Sequence, residues 1–169
     1  NAFGQFNIAS GENSSAFGKD NTASGLNSSA IGLGNIASGG GSTAVGLGNE
    51  ASGNNSSALG DANIATQERS NAVGFGNSAL AQDSSAFGAS NAARGDFSTA
   101  VGFSNTADSA NSTAVGHLNV ATDIDSSAIG SQNEASGVES SAVGFSNTAS
   151  GDQSTVVGND NFADSQFSN

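Results

Sequence analysis

The sequence lacks several residues on which most proteins rely. It has no proline, cysteine, methionine, tryptophan or tyrosine, and only 11% of its 169 residues are charged. The absence of cysteine excludes disulfide bonds and thiolate metal sites. Large apolar residues are too scarce to build one compact globular core, so the chain must be stabilised in another way.

Positive charge is also scarce. Lys19, Arg69 and Arg94 stand against 15 acidic residues, and the net charge is -12. Since phosphate and sulfate binding needs clustered Lys and Arg, nucleic acids, heparin-like chains and anionic lipids are poor partners. No apolar run approaches the roughly 18 residues of a membrane span, so we expect no direct membrane contact here. Nothing at Asn1 resembles a signal peptide; a secreted or anchored parent would carry such segments elsewhere.

What the sequence does contain is a strict repeat. Ser14–Gly18 reads Ser-Ser-Ala-Phe-Gly, and its counterparts follow every fourteen residues without insertion or deletion as far as Ser154–Gly158. We number the repeat so that slot 1 is Asn1, Ser15, Ser29 and so on. Slot 4 is then always Gly, slot 7 Asn, slot 9 Ala and slot 14 Ser. Low hydrophobicity with high net charge is typical of disorder, but disordered chains lack such regular spacing.

Glycine recurs at two positions of the repeat, at slot 4 in every copy and at slot 11 in most copies. This short period predicts two brief strands joined by tight turns, because Gly tolerates positive φ. A helix would place Gly in every second turn at about 1 kcal/mol each relative to Ala. We therefore predict an all-β parallel β-solenoid of about twelve 14-residue coils, with strands around slots 1–3 and 8–10. Residues 1–169 would form a single repetitive domain, a rod roughly 55 Å long.

The charged residues test this assignment independently. All of them fall in slots 5, 6, 8 and 10–13, which predicts that slots 1–4, 7, 9 and 14 are buried. In the second strand, slots 8 and 10 then face water and the alanine of slot 9 points inward. The constant asparagines are expected to form a hydrogen-bonded ladder from coil to coil, and the slot-14 serines to satisfy turn backbone.

The first strand is predicted to be buried on both faces. Slot 2 is Ala in every copy except Val156, and slot 3 is always a large apolar residue, although neighbours in a strand point to opposite faces. Slot 2 would line a thin interior, whereas slot 3 would form an outward column that self-association buries. An alternative puts slot 3 inside a monomeric solenoid and slot 2 outside. The predicted interface column is Phe3, Phe17, Ile31, Val45, Leu59, Val73, Phe87, Val101, Val115, Ile129, Val143 and Val157.

The repeat carries a family resemblance. Asn13–Gly18, Asn27–Gly32 and Asn21–Gly25 resemble the YadA-like head repeats of trimeric autotransporter adhesins, over essentially the whole chain. The resemblance implies a left-handed parallel β-roll, a side-by-side homotrimer and display on a Gram-negative surface, with stalk and outer-membrane anchor outside this stretch. Slot 1 departs from the family pattern, because it is Ser, Thr or Asn where valine is common. We therefore expect apolar and hydroxyl layers to alternate in the interface.

The resemblance further implies a non-enzymatic adhesive head that attaches to matrix proteins, host cells or solid surfaces and promotes autoagglutination. Two alternatives stay open: a spacer segment without its own ligand, and an ice-binding solenoid. Neither the six-residue period of β-helical acyltransferases nor the clustered charges of polysaccharide lyases is present. We expect no cofactor, and the ligand-binding residues are not indicated by the sequence.

Individual residues offer only weak sites. His117 is expected to be a solvated surface residue. Asp123, Asp125 and Glu139 lie close in the predicted stack, where carboxylates can bind Ca²⁺.

Two groups of apolar residues fall outside slots 2, 3 and 9. One group lies beside the predicted slot-4 turn, and we favour its extending the interface over its forming adhesive spots. Its members are Leu33, Leu47, Phe75, Phe103, Leu118 and Phe145. A second group, Phe3, Phe6, Phe162 and Phe167, is expected to cover the end coils.

Overall fold

The computed structural model describes residues 1–165, which form 24 β-strands in two parallel sheets of twelve strands each. Each coil contributes one long and one short strand. The long strands are β1 (Ala2–Gln5), β3 (Ser15–Lys19), β5 (Ser29–Leu33), β7 (Thr43–Leu47), β9 (Ser57–Asp61), β11 (Asn71–Phe75), β13 (Ser85–Ala89), β15 (Thr99–Phe103), β17 (Thr113–His117), β19 (Ser127–Ser131), β21 (Ser141–Phe145) and β23 (Thr155–Asn159). The short strands are β2 (Ile8–Ala9), β4 (Thr22–Ala23), β6 (Ile36–Ala37), β8 (Glu50–Ala51), β10 (Ile64–Ala65), β12 (Ser78–Ala79), β14 (Ala92–Ala93), β16 (Thr106–Ala107), β18 (Val120–Ala121), β20 (Glu134–Ala135), β22 (Thr148–Ala149) and β24 (Phe162–Ala163).

Every strand pairs in parallel with the equivalent strand of the next coil. In the long sheet, Val73 of β11 lies opposite Leu59 of β9 on one side and Phe87 of β13 on the other, so equal slots stack without offset. The predicted parallel β-solenoid of about twelve coils is confirmed. Within residues 1–165 there is no helix of the length and hydropathy needed to cross a membrane.

The strand boundaries differ from the prediction. The first strand of a coil spans slots 1–5 rather than 1–3, and the second spans slots 8 and 9 alone. The slot-4 glycine therefore lies inside the long strand and not in a turn. Left-handed residues at slots 6 and 13 form the turns, and many are not glycine, such as Ala62 with φ 54° and Arg69 with φ 56°.

The slot-4 glycines are required by close approach of the coils as well as by backbone angle. Gly46 has a φ of 121°, and a Cβ atom built on it would lie 1.9 Å from the carbonyl oxygen of Gly60 in the next coil. A side chain here would collide with backbone that cannot move without unstacking the coils. Constant Gly at slot 4 follows from the stacking of the long strands.

Alanine forms the interior of the solenoid. The slot-2 and slot-9 alanines from Ala16 to Ala149 are fully buried, and Val156 is 5% exposed. Slots 8 and 10 are exposed or half-buried throughout the described coils. The prediction for the second strand is therefore confirmed, and the alternative with slot 2 outside is wrong.

The buried asparagines form the predicted ladder. Asn105 Nδ2 donates to Asn91 Oδ1 at 2.9 Å, and Asn105 Oδ1 accepts from Nδ2 of Asn119 at 3.0 Å. Asn105 Nδ2 also lies within hydrogen-bond distance of the carbonyl oxygens of Val101 and Gly116. Each amide thus fastens the end of a long strand to its own coil and to both neighbours, and buried polar groups are satisfied.

Most of the slot-14 serines fall into two groups that share the same sequence position but differ in hydrogen bonding. In four coils without Gly at slot 11, the hydroxyl donates to the slot-11 carbonyl, as predicted; these serines are Ser70, Ser84, Ser112 and Ser126. In six coils with Gly at slot 11, the buried hydroxyl has no hydrogen-bond partner among the described residues, and the prediction is wrong; these are Ser14, Ser28, Ser42, Ser56, Ser98 and Ser154. A seventh serine beside Gly at slot 11, Ser140, is an exception, because its Oγ accepts from Gly137 N at 3.2 Å. A side chain at slot 11 thus accompanies a satisfied serine in four coils, and Gly accompanies an unsatisfied one in six of seven.

This difference predicts opposite outcomes for one substitution. Ser84 Oγ donates to Ala81 O at 2.7 Å and accepts from Ala81 N at 3.2 Å, so Ser84→Ala should lower the free energy of unfolding by about 1 kcal/mol. Ser98→Ala, beside Gly95, should change it by less than about 0.5 kcal/mol or raise it, because no bond is lost. Urea denaturation of the two variants measures the difference. Equal losses would contradict this account of slot 11.

Candidate assembly surface

Slots 1, 3 and 5 form the side of the long sheet that points away from the alanine interior, and we call this side the outer face. Alternation along the strand buries slot 2, and slot 4 carries no side chain. All twelve slot-3 residues of the predicted column lie on this face, and every one is exposed or half-buried in the single chain. Phe17, Ile31 and Phe87 are exposed by 39–41% although they lie in the middle of a strand.

Slot 5 extends the apolar part of this face. Leu47, Phe75 and Phe103 are 45%, 58% and 51% exposed, and each is the last residue of a long strand. They lie on the same face of the sheet as slot 3, because the strand continues through slot 4, and the turn begins after them at slot 6. Leu118 differs from them, since it occupies the left-handed turn position at slot 6.

The outer face carries no charge at slots 1 and 3. The slot-1 hydroxyls and amides and the slot-3 side chains are accessible in the single chain, yet no charged residue occurs there in any copy. Contact with water does not explain the absence of charged residues at slots 1 and 3, because slots 8 and 10 are also accessible and do carry Glu, Asp and Arg. The face has the composition of an interface core, in which charge is depleted.

His117 lies at slot 5 on the rim of this face and is exposed, as expected. Its ring stacks on that of Phe103 with centroids 5.6 Å apart, and its Nδ1 atom lies 3.3 Å from Ser131 Oγ. These neighbours are an aromatic ring and a hydroxyl, so the histidine extends the slot-5 column.

The calcium site suggested by the sequence is not formed. Nowhere in residues 1–165 do three or more acidic, histidine or cysteine side chains gather in a group that could hold a metal ion. Asp123 Oδ1 instead accepts from Ile124 N at 2.8 Å, and Glu139 Oε2 accepts from Gln153 Nε2 at 3.0 Å. Asp125, one coil from Glu139 at the same slot, is exposed. The coils bring the three acidic residues near one another, but the carboxylates of Asp123 and Glu139 accept hydrogen bonds from neighbouring amide groups.

Apart from Lys19 and Asp61 at slot 5, the charged residues occupy the turns and the flank opposite the outer face, which is formed by slots 8 and 10. Arg69 binds Asp83 through two hydrogen bonds of 2.6 and 2.8 Å and also contacts Glu68, and Arg94 binds Asp108 at 2.8 Å. The Arg69 guanidinium holds the pKa of the Asp83 carboxyl below its usual range. Since both arginines are paired, the flank presents a largely acidic surface.

The aromatic residues at the first coil do not cover it. Phe3 and Phe6 are 75% and 72% exposed, and Ala2 in the same coil is itself exposed, whereas its equivalents in later coils are buried. Phe3 instead packs beside Phe17 along the outer face, with ring centroids 6.3 Å apart. Phe162 is 67% exposed at the other end, and Phe167 lies outside the described residues.

Comparison with known families identifies the repeat. The family model described as YadA head domain repeat, which spans two copies, matches seven segments that together cover nearly the whole chain. The matched segments are residues 2–21, 9–35, 23–49, 51–77, 79–105, 107–133 and 135–161. No curated protein matches the chain.

Proposed function

Because the chain belongs to the family of YadA head domain repeats, we propose that it is the non-enzymatic head of a trimeric autotransporter adhesin, displayed at a bacterial surface by parts of the protein outside it. The fold and the family are of a structural, adhesin type. The β-roll is left-handed in this proposal, and three chains lie side by side with their outer faces together.

The observation that carries the proposal is the apolar slot-3 column of the outer face, which is accessible in the single chain and has no charge at slots 1 and 3. Fully burying one exposed large apolar side chain stabilises by about 1.5–3 kcal/mol, and because the slot-3 residues are already partly buried in the single chain, the column of twelve represents on the order of 10 kcal/mol per chain. A column of this size on an isolated chain would be an unusually large exposed apolar patch. Packing around an axis parallel to the rod lets every coil contribute, and the slot-3 column from Phe3 to Val157 forms the interface. Slot-1 residues such as Thr99 supply the polar layers between the apolar ones.

Attachment is assigned to the opposite flank, which stays accessible in such an assembly. Slot 8 on the short sheet mixes Ile36, Glu50 and Thr106, and none of these side chains is buried. Variation from coil to coil gives a long surface with many different local compositions, which suits contact with matrix proteins, host cells and solid surfaces, and between bacteria. An ice-binding role is disfavoured because slot 8 is not a regular threonine array.

Attachment can be measured on the purified chain. Beads coated with it should be retained on at least one of a panel of matrix proteins or of hydrophobic and hydrophilic polymer surfaces. Replacing the exposed Ile8, Ile36 and Ile64 by Thr should weaken retention on the apolar members several-fold, because it removes apolar area from the flank without touching the outer face.

The control is the outer-face variant Val115→Thr, which should leave retention unchanged at concentrations where the chain stays assembled. No retention on any surface would favour the spacer role instead. Thermal hysteresis in the same preparation would favour ice binding.

A further inference from the structure

The side chains of the outer face compensate one another in size within each of the coils 4 to 11. We call the slot-1, slot-3 and slot-5 residues of one coil a row. In eight consecutive rows, a valine at slot 3 always has a large neighbour at slot 5, and a larger slot-3 residue always has a short one. The valine rows pair Val45 with Leu47, Val73 with Phe75, Val101 with Phe103, Val115 with His117 and Val143 with Phe145. The other rows pair Leu59 with Asp61, Phe87 with Ala89 and Ile129 with Ser131.

Slot 1 follows the same rule. Where slot 3 is Phe, Leu or Ile, slot 1 is the small residue Ser in every coil after the first, as in Ser57 and Ser85. Where slot 3 is Val, slot 1 is Thr or Asn in all rows but that of Ser141. In these rows the largest side chain therefore lies at slot 3 or at slot 5 but never at both, and slot 1 is small wherever slot 3 is large. The end coils depart at slot 5: coils 1 to 3 combine Phe or Ile at slot 3 with Gln5, Lys19 and Leu33, and coil 12 combines Val157 with Asn159.

Nothing within the single chain explains this compensation. The large members of the rows project into solvent: Phe87 is 39% exposed, Phe75 58% and Phe145 47%. In the column of slot 5, Ala89 lies between Phe75 and Phe103 on the neighbouring strands, and it leaves a gap there. Size matters only where a second surface limits the space, because packed interfaces tolerate neither overfilling nor voids.

The limiting surface must share the spacing of the rows. The rows repeat at the strand spacing of about 4.8 Å. A flexible or irregular partner would not keep the same distance from the outer face along all twelve rows, whereas a second copy of this regular sheet would. The outer face is about 16 Å wide and 55 Å long, or roughly 900 Å², similar to the roughly 800 Å² that each partner buries in a stable interface.

Resting on the assembly proposed above, we propose that the slot-3 and slot-5 residues set the axial register of the assembled chains, so that each row packs against the same row of the neighbouring copies. A shift by one coil would bring the row of Phe87 against that of Val73 and Phe75 or of Val101 and Phe103. Two large residues would then compete for one space, and the row of Ala89 would leave a void. The repeat offers twelve nearly equivalent registers, and row matching selects the one without offset.

The test exchanges residues within one row. Ala89→Phe overfills the row of Phe87, and Phe87→Val underfills it, so each alone should lower the association constant about tenfold or more. The double variant Phe87→Val/Ala89→Phe gives this row the same residues as the row of Ser141, Val143 and Phe145, with one large side chain again, and should lie within about threefold of the unmodified chain. A matched control, Phe87→Val/Ser131→Phe, makes a similar pair of changes in two different rows and should be weaker than either single variant. Sedimentation equilibrium over a guanidinium series measures all five proteins.

The outcomes separate this inference from the assembly itself. A within-row double variant no better than the control would overturn row matching while leaving an assembled chain. A monomeric unmodified chain would overturn the assembly and row matching together, and would leave the outer face to a different partner.

Discussion

Gly46→Ala should destabilise the solenoid by more than about 4 kcal/mol, in the exceptional range for a single substitution. The new Cβ atom would lie 1.9 Å from the Gly60 carbonyl oxygen, and the backbone angle of 121° is one that alanine rarely adopts. The coils on either side cannot move apart without breaking the hydrogen bonds of the long sheet and the asparagine ladder at Asn49. We expect a large fall in the thermal unfolding midpoint, measured by circular dichroism.

The matched control lies two residues away. Gly48 also has a positive φ, 61°, but a Cβ atom built there has nothing within 4 Å. Ala62 occupies the same slot in the next coil with a φ of 54°, so alanine is accommodated. Gly48→Ala should therefore cost only about 1 kcal/mol, the ordinary penalty of a left-handed alanine. Similar midpoints for the two variants would show that the close stacking of slot 4 is not what requires glycine.

Val101→Asp should abolish assembly. The residue lies at the centre of the outer face, and the assembly would bring together identical carboxylates in a desolvated layer, at a cost of several kcal/mol for each buried charge. Since Val101 is half-buried on the outside of its own coil, the single chain should retain its β-sheet content. Size-exclusion chromatography with light scattering separates loss of assembly from loss of folding.

Glu134→Lys is the control for that variant, because Glu134 is exposed at slot 8 on the opposite sheet. It changes the charge by more than Val101→Asp does, yet the assembly should persist. If both substitutions had the same effect on the measured mass, the assignment of the two faces would be wrong.

Much of this fold could be predicted from the sequence, because a repeat turns each slot into a statistical sample. Ala at slot 2, charge at slot 8 and invariant Asn at slot 7 each report the environment of one position averaged over twelve copies. The solenoid, its stacking without offset, the alanine interior and the amide ladder followed from that. The outward direction of the slot-3 column was also predictable, since slots 2 and 3 are both uncharged and adjacent residues in a strand point apart.

The errors arose where glycine was read as a sign of a turn. At slot 4 it is required for the close approach of two coils, a contact between chain segments that residue identity alone does not show. The left-handed turn positions instead hold residues such as Ala62 and Arg69, whose φ is imposed by stacking against the same slot in adjacent coils. The unsatisfied hydroxyl of Ser98 is not predictable from slot 14 alone, because the partner that satisfies this serine in other coils is the backbone at slot 11, whose position is not visible in the sequence. The size matching of slots 3 and 5 was visible in the sequence, but had no meaning until both were placed on one face.

The central claim is that both faces of each long strand are buried, one inside the solenoid and the other in the assembly. The mass and shape of the unmodified chain in solution test this claim most directly. Sedimentation velocity and equilibrium should give an elongated particle of about 49 kDa, three times the 16.2 kDa chain. A monodisperse monomer of 16.2 kDa with its outer face open to water would contradict the account.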